Sequence, residues 1–190
     1  MRLSIRNATE AAVLSLISAV LFVGFFRLND EVFSWLEHSQ GVNWIFLPAG
    51  FRVLLVLGMG WPGCVGIFLG NAYLDLENFQ RGHWALTALT ALVSGFTPWL
   101  VLQFMKRRRM LEANLQNLTH QQLLNFTLIY AAANAVLHQL LWALIPVHNH
   151  QLMLEIWPMF VGDVIGALIM LYAFKGLVHL LKPTSNSRSL

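Results

Sequence analysis

Six stretches of this chain are long apolar runs with almost no charge: 8–26, 44–58, 62–77, 84–105, 119–145 and 154–175. A membrane-spanning helix needs about 20 mostly apolar residues, because the hydrocarbon layer is about 30 Å thick. The chain is 57% hydrophobic and only 11% charged, with a mean hydropathy of +0.60. Its apolar residues come in blocks rather than alternating with charge, which excludes a soluble core. The expected fold is all-α, a polytopic integral membrane bundle of about six transmembrane helices. The second and third runs are the short ones. The stretches 27–43 and 106–118 and the tail after 175 are each too short to bury a core. A single membrane unit over 1–190, with no output domain attached, is therefore expected.

Arg2 and Arg6 precede an apolar run, as in a signal peptide, but "SLISAVLFVGFFRLND" has no small-residue cleavage site. The first run is read as a retained span. Cys64 is the only cysteine, so an internal disulfide is impossible. The sequence pI of about 9.4 does not point to nucleic acid, because the basic residues flank apolar runs and report orientation instead. With both termini in the cytoplasm, Arg2, Arg6, Lys106, Arg107, Arg108, Arg109, Lys175, Lys182 and Arg188 lie inside. Only Arg27 and Arg81 then lie outside, and Arg52 lies within the membrane. That bias sets the topology expected of a multi-pass protein of the bacterial inner membrane. Trp35, Trp44, Trp84, Trp142 and Trp157 fall at the proposed outer boundary, as an interfacial aromatic belt would. "KRRRM" at 106–110 is read as a cytoplasmic anchor that attracts anionic lipid, or else as a docking patch for a protein partner. Thr119 and Gln122 have capping-box spacing and mark the start of the fifth span. The Asn-x-Thr triplets at Asn7, Asn117 and Asn125 lie on the cytoplasmic side and are discounted as glycan sites.

The second run, "NWIFLPAGFRVLLV" (43–56), holds a proline, a glycine and an arginine within five positions. Proline removes a donor, glycine loosens a helix, and an arginine in hydrocarbon costs at least about 2.5 kcal/mol. Proline suits the first turn of a helix, and the residue before it avoids the α region. One reading is a broken second span: an extended approach through Asn43–Leu47, then a helix from Pro48 to about Leu57. A half-helix N-terminus of that kind can hold an anionic group. The other reading is a proline kink packed against a neighbouring helix.

Arg52 needs a counter-ion, and Asp163 in "FVGDVIGALIM" is the only acid well inside a run. Arg52 follows Trp44 by 8 residues and Asp163 follows Ile156 by 7. Each then lies about 10–12 Å below the outer end of its span, at matching depth. In the fifth span Thr127, Asn134 and His138 share one helical face. The candidate ligand-binding residues are therefore Trp44, Pro48, Arg52, Asn134, His138 and Asp163. Buried polar groups of this kind also serve simply to join helices, whereas an intramembrane Arg and Asp point to function. His148 and His150 form an H-x-H without further ligands, so no metal or other cofactor is expected. The GxxxG pairs Gly66/Gly70 and Gly162/Gly166 predict close helix contacts.

"FLPAGFRVLLVLGMGWPGCVGIFLGNAYL" (46–74) and "WPMFVGDVIGALIML" (157–171) together resemble the first type of bacterial membrane-associated sensor domain (MASE type one). The matching positions are Pro48, Ala49, Gly50, Trp61, Pro62, Gly63, Gly162, Asp163 and Gly166. The resemblance implies an integral membrane sensory module, of a kind that usually precedes a histidine kinase, diguanylate cyclase or phosphodiesterase domain. Arg52 departs from it, standing where the family usually has an apolar residue. With no such output domain in the sequence, output is expected to pass to a separate protein.

Three functions compete. The first is a stand-alone sensory or regulatory module that binds a small ligand in its outer half and acts through a partner membrane or signalling protein. The second is the substrate-binding subunit of a multi-component transporter, for which Ala8-x-x-x-Ala12 would be the docking motif. The third, an intramembrane enzyme using Asp163 and His138 as acid and base, lacks a nucleophile, a metal set and a cofactor motif. The protein is expected not to be an enzyme, and its expected partners are membrane lipid, a signalling enzyme or transporter subunit, and a small molecule, with no nucleic acid.

Overall fold

The structure is a computed structural model that describes residues 2–39, 41–111, 118–145 and 152–181. Asn117, His148, His150, Lys182 and Arg188 lie outside the described residues, as do the side chains of Arg2 and Arg6. The chain is built from helices: α1 (Arg2–Phe33), α2 (Leu47–Met59), α3 (Trp61–Leu74), α4 (Leu76–Gln80), α5 (Trp84–Arg107), α6 (His120–Leu144) and α7 (Leu152–Leu181). Two short strands, β1 (Glu37–Ser39) and β2 (Val42–Asn43), form an antiparallel hairpin between α1 and α2.

Four of the helices are long and apolar enough to cross a membrane: α1, α5, α6 and α7. They coincide with the first, fourth, fifth and sixth apolar runs. The second and third runs form the shorter α2 (13 residues) and α3 (14 residues). The hairpin and the single-turn α4 have no counterpart in the apolar pattern. α1 also runs well beyond residue 26, so Asp30 and Glu31 lie on its last turns rather than in a loop. At the start of α6, Thr119 Oγ1 accepts from Gln122 N–H (3.2 Å) and Gln122 Oε1 accepts from Thr119 N–H (3.0 Å), completing the capping box.

α2 is the central element. It packs against α1, α3, α5, α6 and α7, and those five neighbour one another in the order α1, α3, α5, α6, α7. Every side chain from Leu47 to Val53 is buried. α1, by contrast, turns Leu16 and Val20 outward, 65% and 64% exposed, as a lipid-facing helix would.

Glycine decides how close the helices come. Gly66 and Gly70 of α3 sit against Ser15, Ser18, Ala19 and Phe22 of α1, the helix–helix contact expected of a GxxxG pair. The Gly162/Gly166 pair of α7 does something else. A Cβ on Gly162 would collide with the carbonyl oxygen of Asn43, and one on Gly166 with that of Phe46. The pair thus accommodates the non-helical approach to α2, laid directly on α7. Gly50 in turn brings α2 onto the backbone of Ala167.

Several backbone donors of that approach find protein acceptors. Trp44 N–H donates to Leu36 O (3.2 Å) and Phe46 N–H to Gly162 O (3.1 Å). Leu47 N–H donates to the side-chain Oδ1 of Asn29, a buried residue of α1 (2.9 Å). Pro48 has no N–H, and Ala49 N–H reaches Phe46 O (3.1 Å). Protein groups take these first donors of α2, so the anion-holding role expected of this helix start is not available at Leu47 or Ala49.

Gly166→Ala should therefore lower stability by about 1–3 kcal/mol or more, since backbone cannot move aside as a side chain can. Asn29→Ala should cost about 1–3 kcal/mol by stranding the buried Leu47 N–H. Thermal unfolding of the detergent-extracted protein measures both, and Gly176→Ala, where nothing lies within 4 Å of the added Cβ, is the control.

Candidate functional site

Arg52 lies on the second turn of α2 and is 3% exposed. Its guanidinium carbon stands 5.2 Å from the ring centre of Phe22 and 5.4 Å from that of Phe46. Nη1 donates to the Tyr130 hydroxyl of α6 at 3.4 Å, a long bond, and Nε has no partner. The expected ion pair with Asp163 is not formed. Asp163 Oδ2 accepts instead from Asn134 Nδ2 at 2.7 Å, and among the described residues the ion pair within 4 Å is Arg81–Glu77. The two charges still interact electrostatically. Matching depth does not fix rotation about the helix axis, and that rotation turns Asp163 to α6. Each ring contributes about 2 kcal/mol to a desolvated cation, so the two together offset much of the several kcal/mol that burying the ion costs. No carboxylate of the described residues meets the guanidinium within 4 Å.

A cavity of about 530 Å³ opens beside this residue. Arg52, His138 of α6 and Asn71 of α3, all buried, line it, together with Thr90 and Ser94 of α5. His138 Nδ1 lies 3.0 Å from the Asn134 carbonyl, and Nε2 lies 3.2 Å from Ser94 Oγ. A carbonyl only accepts, so Nδ1 carries a proton; with the ring neutral, Nε2 then accepts from the Ser94 hydroxyl. The Thr90 hydroxyl, one helical turn from Ser94, has no partner. Nearer solvent, the cavity is lined by Arg27 and Asp30 of α1, Glu37 of β1 and Asp75 after α3.

Of the residues expected from the sequence, Arg52 and His138 line the cavity. Asn134 and Asp163 form the hydrogen-bonded pair behind them, where Thr127 is also buried, its hydroxyl without a partner. Pro48 is buried in the first turn of α2 and Trp44 packs edge-on to His38, and neither lines the cavity. Ser94, Thr90, Tyr130 and Asn71 were not expected. Their only signal is a small polar residue within an apolar run, which also fits simple helix packing. Among the described residues no group of three or more His, Cys, Asp or Glu side chains is placed to hold a metal.

A larger cavity of about 930 Å³ lies at the opposite end of α2. It is lined by leucines and phenylalanines of α2, α6 and α7, with His120 and Lys175 at its rim, their Nε2 and Nζ 2.9 Å apart. Its chemistry suits an acyl chain.

Asn134→Leu should lower stability by about 1–3 kcal/mol, by stripping the buried Asp163 of its donor. With Asp163→Leu it should show a coupling of about 0.5–3 kcal/mol in a double-mutant cycle. The Arg52/Asp163 cycle, between side chains that do not touch, should show less. Chemical or thermal unfolding of the four proteins in each cycle provides the measurement.

Comparison with protein-family models, with curated proteins and with solved structures finds no match to this chain, so the reading of the site rests on its own geometry.

Proposed function

We propose that this protein is a sensory or regulatory module of the bacterial inner membrane. It binds a small polar ligand in its outer half and acts through a partner membrane or signalling protein. One observation carries the reading: a buried guanidinium with no carboxylate of the described residues within 4 Å lines a polar cavity of about 530 Å³. The likeness of 46–74 and 157–171 to the first type of membrane-associated sensor domain supports it.

The topology has six crossings with both termini cytoplasmic. α2 alone is about 20 Å long, and the non-helical residues 44–46 lengthen it toward the hydrocarbon thickness, as a broken second span. α3, about 21 Å long, is flanked by α1 and α5, and Asn71 and Leu74 at its outer end line the cavity. α2 is also the route from ligand to partner. Arg52 lines the outer cavity, while Leu54, Leu55, Leu57, Gly58 and Met59 line the inner apolar one. A ligand that draws on Arg52 shifts the helix shared by both, and the inner cavity with its His120–Lys175 rim is where a cytoplasmic partner or lipid registers the change.

Arg52→Met tests the reading. Replacing a poorly paired buried ion with an apolar side chain of similar volume is often neutral or stabilising by about 1–4 kcal/mol. The variant should keep or raise its thermal stability while losing any small molecule that native mass spectrometry finds on the membrane-extracted wild type. A variant that unfolds, or that retains the molecule, overturns the assignment. Reporter fusions within 146–150 and at the C-terminus should report opposite sides of the membrane, the C-terminus inside.

A further inference from the structure

The charges lining the cavity are segregated. Asp30, Glu37 and Asp75 line its solvent-facing part, with Arg27 as the one opposing charge there, while Arg52 lies buried. Among the described residues none of the three carboxylates is in an ion pair within 4 Å. Glu37 Oε1 accepts the Gly41 N–H (3.0 Å) and Asp75 Oδ1 the Asn78 side-chain amide. Asp30 feels Arg27 as an attracting charge and, more weakly, Glu37 as a like charge. A simple anion would have to pass this acidic mouth, and a simple cation would end against Arg52. A molecule with a carboxylate at one end and an ammonium at the other is favoured at both places.

We propose that the cavity takes a small zwitterion, its carboxylate inward on the Arg52 guanidinium and its ammonium outward among Asp30, Glu37 and Asp75. The inference rests on the cavity being a ligand site and specifies the class of ligand. The carboxylate supplies a counter-ion that no described residue gives Arg52 within 4 Å, in a charge-assisted bond to the guanidinium. Thr90 and Ser94 line the cavity between the two ends. The ammonium places a positive charge between carboxylates that otherwise repel.

The test uses the full chain in detergent and reads its thermal unfolding against three probe series. The first is the free amino acids +H₃N–(CH₂)n–COO⁻ with one to five methylenes. The second is their methyl esters, which keep only the cation, and the third their N-acetyl derivatives, which keep only the anion. At least one free amino acid should raise the melting temperature, and its ester and N-acetyl derivative should bind about tenfold more weakly or worse. The shift should vanish in Arg52→Met. The double variant Asp30→Asn, Glu37→Gln, whose melting temperature without ligand is the check on folding, should bring the free acid down to the N-acetyl derivative. N-acetyl derivatives that bind the wild type as tightly as the free acids overturn the zwitterion and leave the cavity a carboxylate site. Esters that bind best, and equally in Arg52→Met, overturn it in favour of a cation at the mouth. No shift from any series overturns both the zwitterion and the ligand site beneath it.

Discussion

The architecture depends on one backbone-to-backbone contact. The non-helical residues before α2 lie on α7 at Gly162 and Gly166, with Phe46 N–H donating to Gly162 O. A buried peptide group without a partner costs several kcal/mol, so a non-helical segment inside the bundle survives only where protein supplies its partners. Here α7 supplies an acceptor and the space of two absent side chains, and Asn29 of α1 supplies the acceptor for Leu47 N–H. The position of α2 follows. Its start is tied to α7 and α1 at once, and the rest of the bundle closes around it.

A central α2 explains why it tolerates residues that a lipid-facing helix would not. Pro48 stands in the first turn, where its missing donor costs nothing. Gly50 gives up about 1 kcal/mol of helix propensity and in return lets α2 reach the backbone of α7. Arg52 sees two aromatic faces, a tyrosine hydroxyl and a polar cavity rather than acyl chains. Wrapped by five helices, α2 is at once the most buried element and the one whose sequence is least like a simple span.

What was legible in the sequence was local or periodic. The capping box at Thr119 and the helix start at Pro48 are fixed by neighbours within a few residues. The Thr127, Asn134, His138 face of α6 follows from helical geometry alone, and all three are buried. The four long helices follow from run length. What was not legible depends on tertiary placement. A GxxxG pair states that something comes close but not what, and on α7 it is the approach to α2 rather than another helix. Depth can be counted along a span, but azimuth cannot, so Arg52 and Asp163 were rightly seen as buried and wrongly paired. Asn29 sits in a run of charged and polar residues at the end of the first apolar block, where nothing marks it as the acceptor for a distant helix start. The hairpin rests on two very short strands, below what alternation can signal.

Arg52 also separates folding from use. Asp163 is close enough to feel its charge, yet its Oδ2 is held by Asn134 Nδ2, which leaves Arg52 without direct neutralisation. Phe22 and Phe46 lie against the guanidinium, and Tyr130 offers one long bond, so the side chain is held without being satisfied. Folding alone would be served as well by methionine or leucine at this position, since burying an ion without a close partner gains nothing over good apolar packing. The surrounding groups fix the orientation of the cation and leave it without a carboxylate partner among the described residues. For the ligand site proposed above, an arrangement that is weak as a structural interaction would be strong as a preorganised receptor, because the cost of burying and orienting the cation is met before any ligand arrives.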